Sequence, residues 1–130
     1  MASNNHNHNN NVSILIVDDH EVVRQGVSSL LRRDRNYQIC GEAADGHDAI
    51  EQARRLQPQV IVMDISMHKM DGIAATRLLK SQHSHIPVLG LSVTGQGYQV
   101  DAMLKAGAVK VLTKERAVDE LYEAIKTAAP

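Results

Sequence analysis

The chain has 130 residues, a formal net charge of −1 and a single cysteine, Cys40. That length gives one domain with one core, and one cysteine excludes an internal disulfide. Lys and Arg form no basic run, which argues against duplex nucleic acid as a direct ligand. No apolar stretch is long enough to span a bilayer and the polar first residues show no signal-peptide pattern, so a cytoplasmic location without a membrane partner is expected. With no Trp, no Phe and only Tyr37, Tyr98 and Tyr122 as aromatics, the core must be aliphatic.

Residues 1–11 are Asn-rich, with His6 and His8. Such composition reads as a disordered leader or tag rather than a metal-binding tract, leaving a single domain over 12–130. From Val12 onward, short apolar runs alternate with amphipathic stretches. Ile14–Val17 comes first, followed by Val23, Val27, Leu30 and Leu31 at i, i+4, i+7 and i+8. Ile39–Ala43 is next, then an Asp45-Gly46 turn, a helical face of Ala49, Ala53 and Leu56, and Pro58 as a stop. Val60–Met63 precedes Asp71-Gly72, with Asp71 an expected N-cap. Val88–Leu91 follows Pro87 and leads through Gly95 and Gly97 to Val100, Met103, Leu104 and Gly107. Val109–Leu112 precedes Val118, Leu121, Tyr122 and Ile125. Runs rich in Val, Ile and Leu suit strands buried on both faces, and i, i+4, i+7 spacing suits helices packed on them. Five β/α units predict an α/β fold, with a doubly wound five-stranded parallel sheet and helices on both faces.

Ligands of such sheets bind beyond the carboxyl ends of the strands. Asp18 and Asp19 close the first run and Asp64 closes the third, while Ser92 and Thr94 follow the fourth and Lys114 the fifth. Carboxylates gathered at one rim repel unless a cation sits among them, and an oxygen-only cluster suits Mg²⁺. Each residue also has a plainer reading. The Asp18-Asp19 pair could cap the first helix, Asp64 could be an ordinary strand-end acid, Ser92 an idle strand end, and Lys114 a solvated surface lysine. His20 is expected at a helix start facing solvent or the pocket rim, Met67 and Met70 in packing, and His83 and His85 in a polar loop without a role.

These residues resemble a response-regulator receiver domain of two-component signalling. The likeness rests on Ile16-Val17-Asp18-Asp19-His20, on Met63-Asp64-Ile65-Ser66-Met67 leading to Met70-Asp71-Gly72, on Leu91-Ser92 and on Thr113-Lys114. It implies a flavodoxin-like strand order 2-1-3-4-5 and a phosphorelay switch in which Asp64 accepts a phosphoryl group from a phosphohistidine. The donor would be a histidine kinase or a histidine phosphotransfer domain. Asp18, Asp19, Asp64 and the backbone carbonyl of Ser66 would hold Mg²⁺, Asp18 mostly through metal-bound water. Lys114 would pair with the phosphoryl oxygens and Ser92 would sense them. Such a domain promotes only its own phosphorylation and dephosphorylation and is not a turnover enzyme. The resemblance also allows a homodimer through the face of the fourth helix, fifth strand and fifth helix. His20, Arg24 and Gly26 resemble receivers joined to a helix-turn-helix output.

Three positions depart from the family pattern. His68 stands where Pro is common, Val111 where an aromatic ring is common, and Glu115 where Pro with a cis bond is common. His68 is expected to tune the phosphoryl lifetime, Val111 to remove a ring-rotation switch, and the Lys114–Glu115 bond to be trans. The alternative is a pseudo-receiver that acts as a phosphorylation-independent interaction module. An aspartyl-phosphate phosphohydrolase is disfavoured because Ser66 occupies the place of its second acid.

Overall fold

The computed structural model describes residues 11–95 and 97–129. The leader assignment for residues 1–11 therefore lies outside the described residues except at Asn11. Five strands alternate with five helices: β1 (Val12–Val17), α1 (Glu21–Leu31), β2 (Tyr37–Ala43), α2 (Gly46–Leu56), β3 (Val60–Asp64), α3 (Gly72–Gln82), β4 (Val88–Ser92), α4 (Tyr98–Ala106), β5 (Lys110–Thr113) and α5 (Ala117–Ala128). The strands form one sheet in the order β2-β1-β3-β4-β5, and every pairing is parallel. This is the expected flavodoxin-like order.

Residues of β3 and β4 are buried throughout, which is why those two strands read as unbroken apolar runs. The edge strands bury less. Alternate residues of each strand face opposite sides, and two cores result. Leu15, Val17, Ile61, Met63 and Val88 pack with Ala49 and Ala53 of α2, Ala75 and Leu79 of α3, and Met103 of α4. Ile14, Ile16, Val62, Leu89, Leu91 and Leu112 pack with Val27 and Leu31 of α1 and with Leu121 and Ile125 of α5.

Two helices sit differently from their sequence faces. Leu104 is 43% exposed and Val118 is 62% exposed. In α5 the inward stripe is Ala117, Leu121, Ala124 and Ile125, an i, i+4, i+7, i+8 pattern whose two alanines let the helix approach the sheet closely. In α4 only Met103 and Ala106 are buried. The caps follow the sequence. Asp71 accepts from the Ala74 N–H at 2.9 Å and Asp45 from the Asp48 N–H at 2.9 Å. No described helix is long and apolar enough to cross a membrane.

Candidate functional site

The register of β1 on β3 places Val17 beside Met63, so Asp18 and Asp64 leave the same edge of the sheet side by side. Asp18 is not a helix cap: the N-cap of α1 is His20, which makes no side-chain cap bond, and the Asp18 Oδ1 atom instead accepts from the His20 N–H at 2.9 Å. Arg24 fixes the Asp18 main chain, donating from Nη1 to the Asp18 carbonyl at 2.6 Å while its Nε lies 3.3 Å from Glu42 Oε1. Neither Arg24 nor Glu42 was assigned to the site from sequence, because nothing in a helical spacing says where a long cation will reach.

Lys114 arrives from β5. Its N–H donates to the Ser92 carbonyl at 2.8 Å, which extends the β4–β5 ladder by one residue and sets the side chain over the rim. Lys114 Nζ then lies 3.1 Å from Asp18 Oδ2 and 3.3 Å from Asp64 Oδ1. Asp64 Oδ1 also accepts from the Ser66 N–H at 3.3 Å. Asp19 is held from the other side. Its Oδ2 accepts from the His68 N–H at 3.1 Å and lies 2.7 Å from His68 Nδ1. His20 Nδ1 is 3.0 Å from Asp19 Oδ1 and 3.2 Å from Asp18 Oδ1, so His20 stands at the pocket rim.

Asp18 and Asp64 are 1% and 2% exposed. Burial, with the neighbouring Asp18 charge second, pushes the Asp64 carboxyl up to about 6, against the opposing pull of Lys114 and the Ser66 N–H. Burial also works against the charge on Lys114, but its contacts with Asp18 and Asp64 prevail and hold its ammonium above the ordinary lysine value. Burial similarly works against ionised Asp19, yet the two His68 contacts and the nearby His20 leave it below the usual carboxylate range.

Among the described residues, the buried oxygens Asp18 Oδ2, Asp19 Oδ1 and Asp64 Oδ2 have no aligned hydrogen bond; the first two have Lys114 Nζ and His20 Nδ1 beside them, whereas Asp64 Oδ2 has no such neighbour. An unsatisfied buried carboxylate oxygen is costly. Asp18, Asp19, His20 and Asp64 can each offer one ligand atom, all within 4.8 Å of one another. One lysine against three acids leaves the pocket short of positive charge, and the donor set fits a divalent cation. The mouth is a cleft of about 410 Å³ bordered by Asp19, His20, Ser66, Met67 and His68.

Of the softer sequence candidates, Ser92 is 6% exposed and its Oγ accepts from the Thr94 N–H at 3.2 Å. Met67 and Met70 pack against the α2–α3 core, as expected. His83 caps α3 and His85 lies 3.1 Å from Gln57 Oε1; both are tied to the chain away from the acids. Val111 packs on the same core as Met103. No described peptide bond is cis, in line with the expectation for Lys114–Glu115. Gly72 was read from sequence only as the opening of the third helix, yet it also makes a close contact: a Cβ there would lie 2.1 Å from the Asp64 carbonyl oxygen.

Residues 14–126 match the response regulator receiver domain. The chain is 38% identical over 120 residues to the transcriptional regulatory protein DegU of Brevibacillus brevis, covering 92% of this chain and 51% of DegU. It is 35% identical over 115 residues to the response regulator GacA of Pseudomonas protegens, covering 88% and 54%. It thus spans about half the length of these curated relatives. In structure it resembles the response regulator domain of Thermotoga maritima CheB, with a TM-score of 0.85 at 28% identity over 92% of this chain and 96% of that one. The receiver domain of the response regulator NarL from Mycobacterium tuberculosis superposes with a TM-score of 0.86 at 29% identity, with the same coverage of both chains. A parallel sheet in 2-1-3-4-5 order, an acidic pocket at its carboxyl edge and these likenesses together place the chain in the response regulator receiver domain family.

Proposed function

We propose that this receiver is a phosphoryl-accepting switch. A carboxylate oxygen of Asp64 attacks the phosphorus of a phosphohistidine on a histidine kinase or a histidine phosphotransfer domain. The O–P bond forms as the N–P bond breaks, and the donor imidazole leaves. The observation that carries this reading is Asp64 itself: a nearly fully buried carboxylate at the rim of the central strand, with Oδ2 unpartnered and Oδ1 3.3 Å from Lys114 Nζ.

Each residue then has a task. Transfer adds about −1.5 to −2 charge at neutral pH to a pocket already holding three acids. Lys114, a compact point charge on a flexible stem, follows the phosphoryl oxygens when they displace Asp64 from its contact. Asp18, Asp19, Asp64 and the Ser66 carbonyl would hold Mg²⁺, which when bound offsets the negative charge that phosphoryl transfer concentrates. Ser92 would exchange its Thr94 partner for a phosphoryl oxygen and so move the loop after β4, the local event that biases a two-state surface. The surface is read by an output domain or partner. DegU is described as a transcriptional regulator, which favours a transcriptional output for the protein to which this receiver belongs. The domain acts in the cytoplasm and does not turn over a separate substrate.

The test is intact mass after incubation with a small phosphodonor and Mg²⁺. A gain of one phosphoryl group is expected in the wild type and none in Asp64→Asn or with a chelator present. No gain in the wild type would favour the pseudo-receiver, which the intact acidic set and Lys114 argue against.

A further inference from the structure

We propose that His20 is a nitrogen ligand of the pocket and biases it toward a first-row transition ion of the Mn²⁺-to-Zn²⁺ class rather than Mg²⁺, with His68 orienting Asp19 for that ion. The inference rests on the reading of the pocket as a cation site and concerns which cation it prefers.

Three observations support it. First, His20 Nδ1 lies 3.0 Å from Asp19 Oδ1, yet that oxygen has no hydrogen-bond partner. The two atoms are close without being aligned on one another. Neighbouring ligands of an octahedral ion with bonds of about 2.1 Å stand about 3 Å apart. His20 Nδ1 stands 3.0 Å from Asp19 Oδ1 and hydrogen-bonds to Asp18 Oδ1 at 3.2 Å, separations of that size; an entering ion would take the place of the proton that Nδ1 shares with Asp18, which is released to solvent. Second, Asp64 is 2% exposed, keeps an unpartnered Oδ2 and offers one carboxylate oxygen to this same group of donors. Third, His68 engages Asp19 through Oδ2 only, from both its N–H and its ring. That bond fixes the carboxylate so that Oδ1 is the atom left for an ion. Partners of a ligating carboxylate act in this way at metal sites.

An all-oxygen set suits Mg²⁺. Replacing one oxygen by imidazole shifts preference toward ions higher in the divalent series, because nitrogen is the softer donor. His20 is 63% exposed, so the ion can enter past it without opening the fold.

The test uses Mn²⁺ and Mg²⁺ as probes on the full chain in an H6A/H8A background, which removes the leader imidazoles. Calorimetry is expected to show Mn²⁺ binding at least tenfold tighter than Mg²⁺. His20→Ala should weaken Mn²⁺ about tenfold while changing Mg²⁺ less than twofold. Pulsed electron paramagnetic resonance of the Mn²⁺ form should show a ¹⁴N coupling that His20→Ala abolishes and His68→Ala retains. His20→Gln, which preserves size, guards against a folding artefact and should also lose the coupling. A Mn²⁺ form without nitrogen coupling, a coupling that survives His20→Ala, or equal losses for both ions would overturn the proposal. None of these outcomes touches Mg²⁺-dependent mass gain at Asp64, so the two readings fail separately.

Discussion

Gly72 is seated directly on the backbone of Asp64. A Cβ at Gly72 would stand 2.1 Å from the Asp64 carbonyl oxygen and 2.8 Å from Ile65 Cα, and the Gly72 N–H donates to the Ile65 carbonyl at 2.8 Å. The first turn of α3 is thereby pressed against the strand end that carries Asp64, the proposed phosphoacceptor. The obstacle is backbone, which cannot swing aside like a side chain. Gly72→Ala is therefore expected to destabilise the fold by about 1–3 kcal/mol or more and to displace Asp64. Urea unfolding reads the first effect. A fall in phosphorylation rate, greater than in a surface variant of equal stability, reads the second.

The charge state of Asp64 gives the metal-free domain an unusual pH dependence. Its carboxyl titrates near 6 in the folded protein and near 3.9 in an unfolded chain. Between those values the folded state keeps a proton that the unfolded state has released, so this group's contribution falls as pH rises through 6. The full difference is on the order of 3 kcal/mol. Asp19, held below the ordinary range, works in the opposite sense and loses its contribution as pH falls toward acid. Asp64→Asn isolates the contribution of Asp64. It should stabilise the metal-free protein at pH 8 by up to about 3 kcal/mol and by about half as much at pH 5. Saturating Mg²⁺ should reduce the pH 8 gain. Urea midpoints at the two pH values decide it, and a gain independent of pH would rule it out.

Much of this architecture is written in the chain because the relevant signals are local. Buried parallel strands demand unbroken Val, Ile and Leu, so β3 and β4 could be placed from residues alone. Asp18, Asp64 and Lys114 could be found because strand ends of a parallel sheet share one edge. Contacts that depend on how far a side chain reaches were not legible. Arg24 supports Asp18 across the first turn of α1, and His68 reaches back to Asp19 across 49 positions. Gly72 looked like no more than a helix-opening residue because sequence does not record what lies above a missing Cβ. Val118 and Leu104 looked like core positions because hydropathy ignores that small alanines can define the contact face.

Gly26 illustrates the opposite case, a glycine with nothing to avoid. It lies in the middle of α1, exposed, and a Cβ there meets no atom within 4 Å. Glycine in a helix interior costs about 0.8–1.0 kcal/mol relative to alanine. Gly26→Ala should raise stability by about that amount while leaving the mass gain at Asp64 unchanged. Thermal and urea unfolding measure the first. A neutral or destabilising result would mean that the backbone at this position is not held as an ordinary helix.

His68 replaces a residue that is commonly proline, and the structure alters what restoring proline would do. The His68 N–H donates to Asp19 Oδ2 at 3.1 Å and the ring lies 2.7 Å from the same oxygen. Proline has no N–H, so His68→Pro deletes both contacts, whereas His68→Ala deletes only the ring. The side chain is 90% exposed, so the ring contact is screened and modest. Mg²⁺ affinity is expected to fall about two- to threefold in His68→Ala and about three- to tenfold in His68→Pro, the range of one and two solvent-exposed hydrogen bonds. The phosphoryl lifetime should shift in the same order, because Asp19 then holds its position less firmly around the acyl phosphate. Calorimetric titration and the decay of the phosphorylated mass provide the readings. Equal affinities and lifetimes in all three proteins would show that His68 does not tune the site.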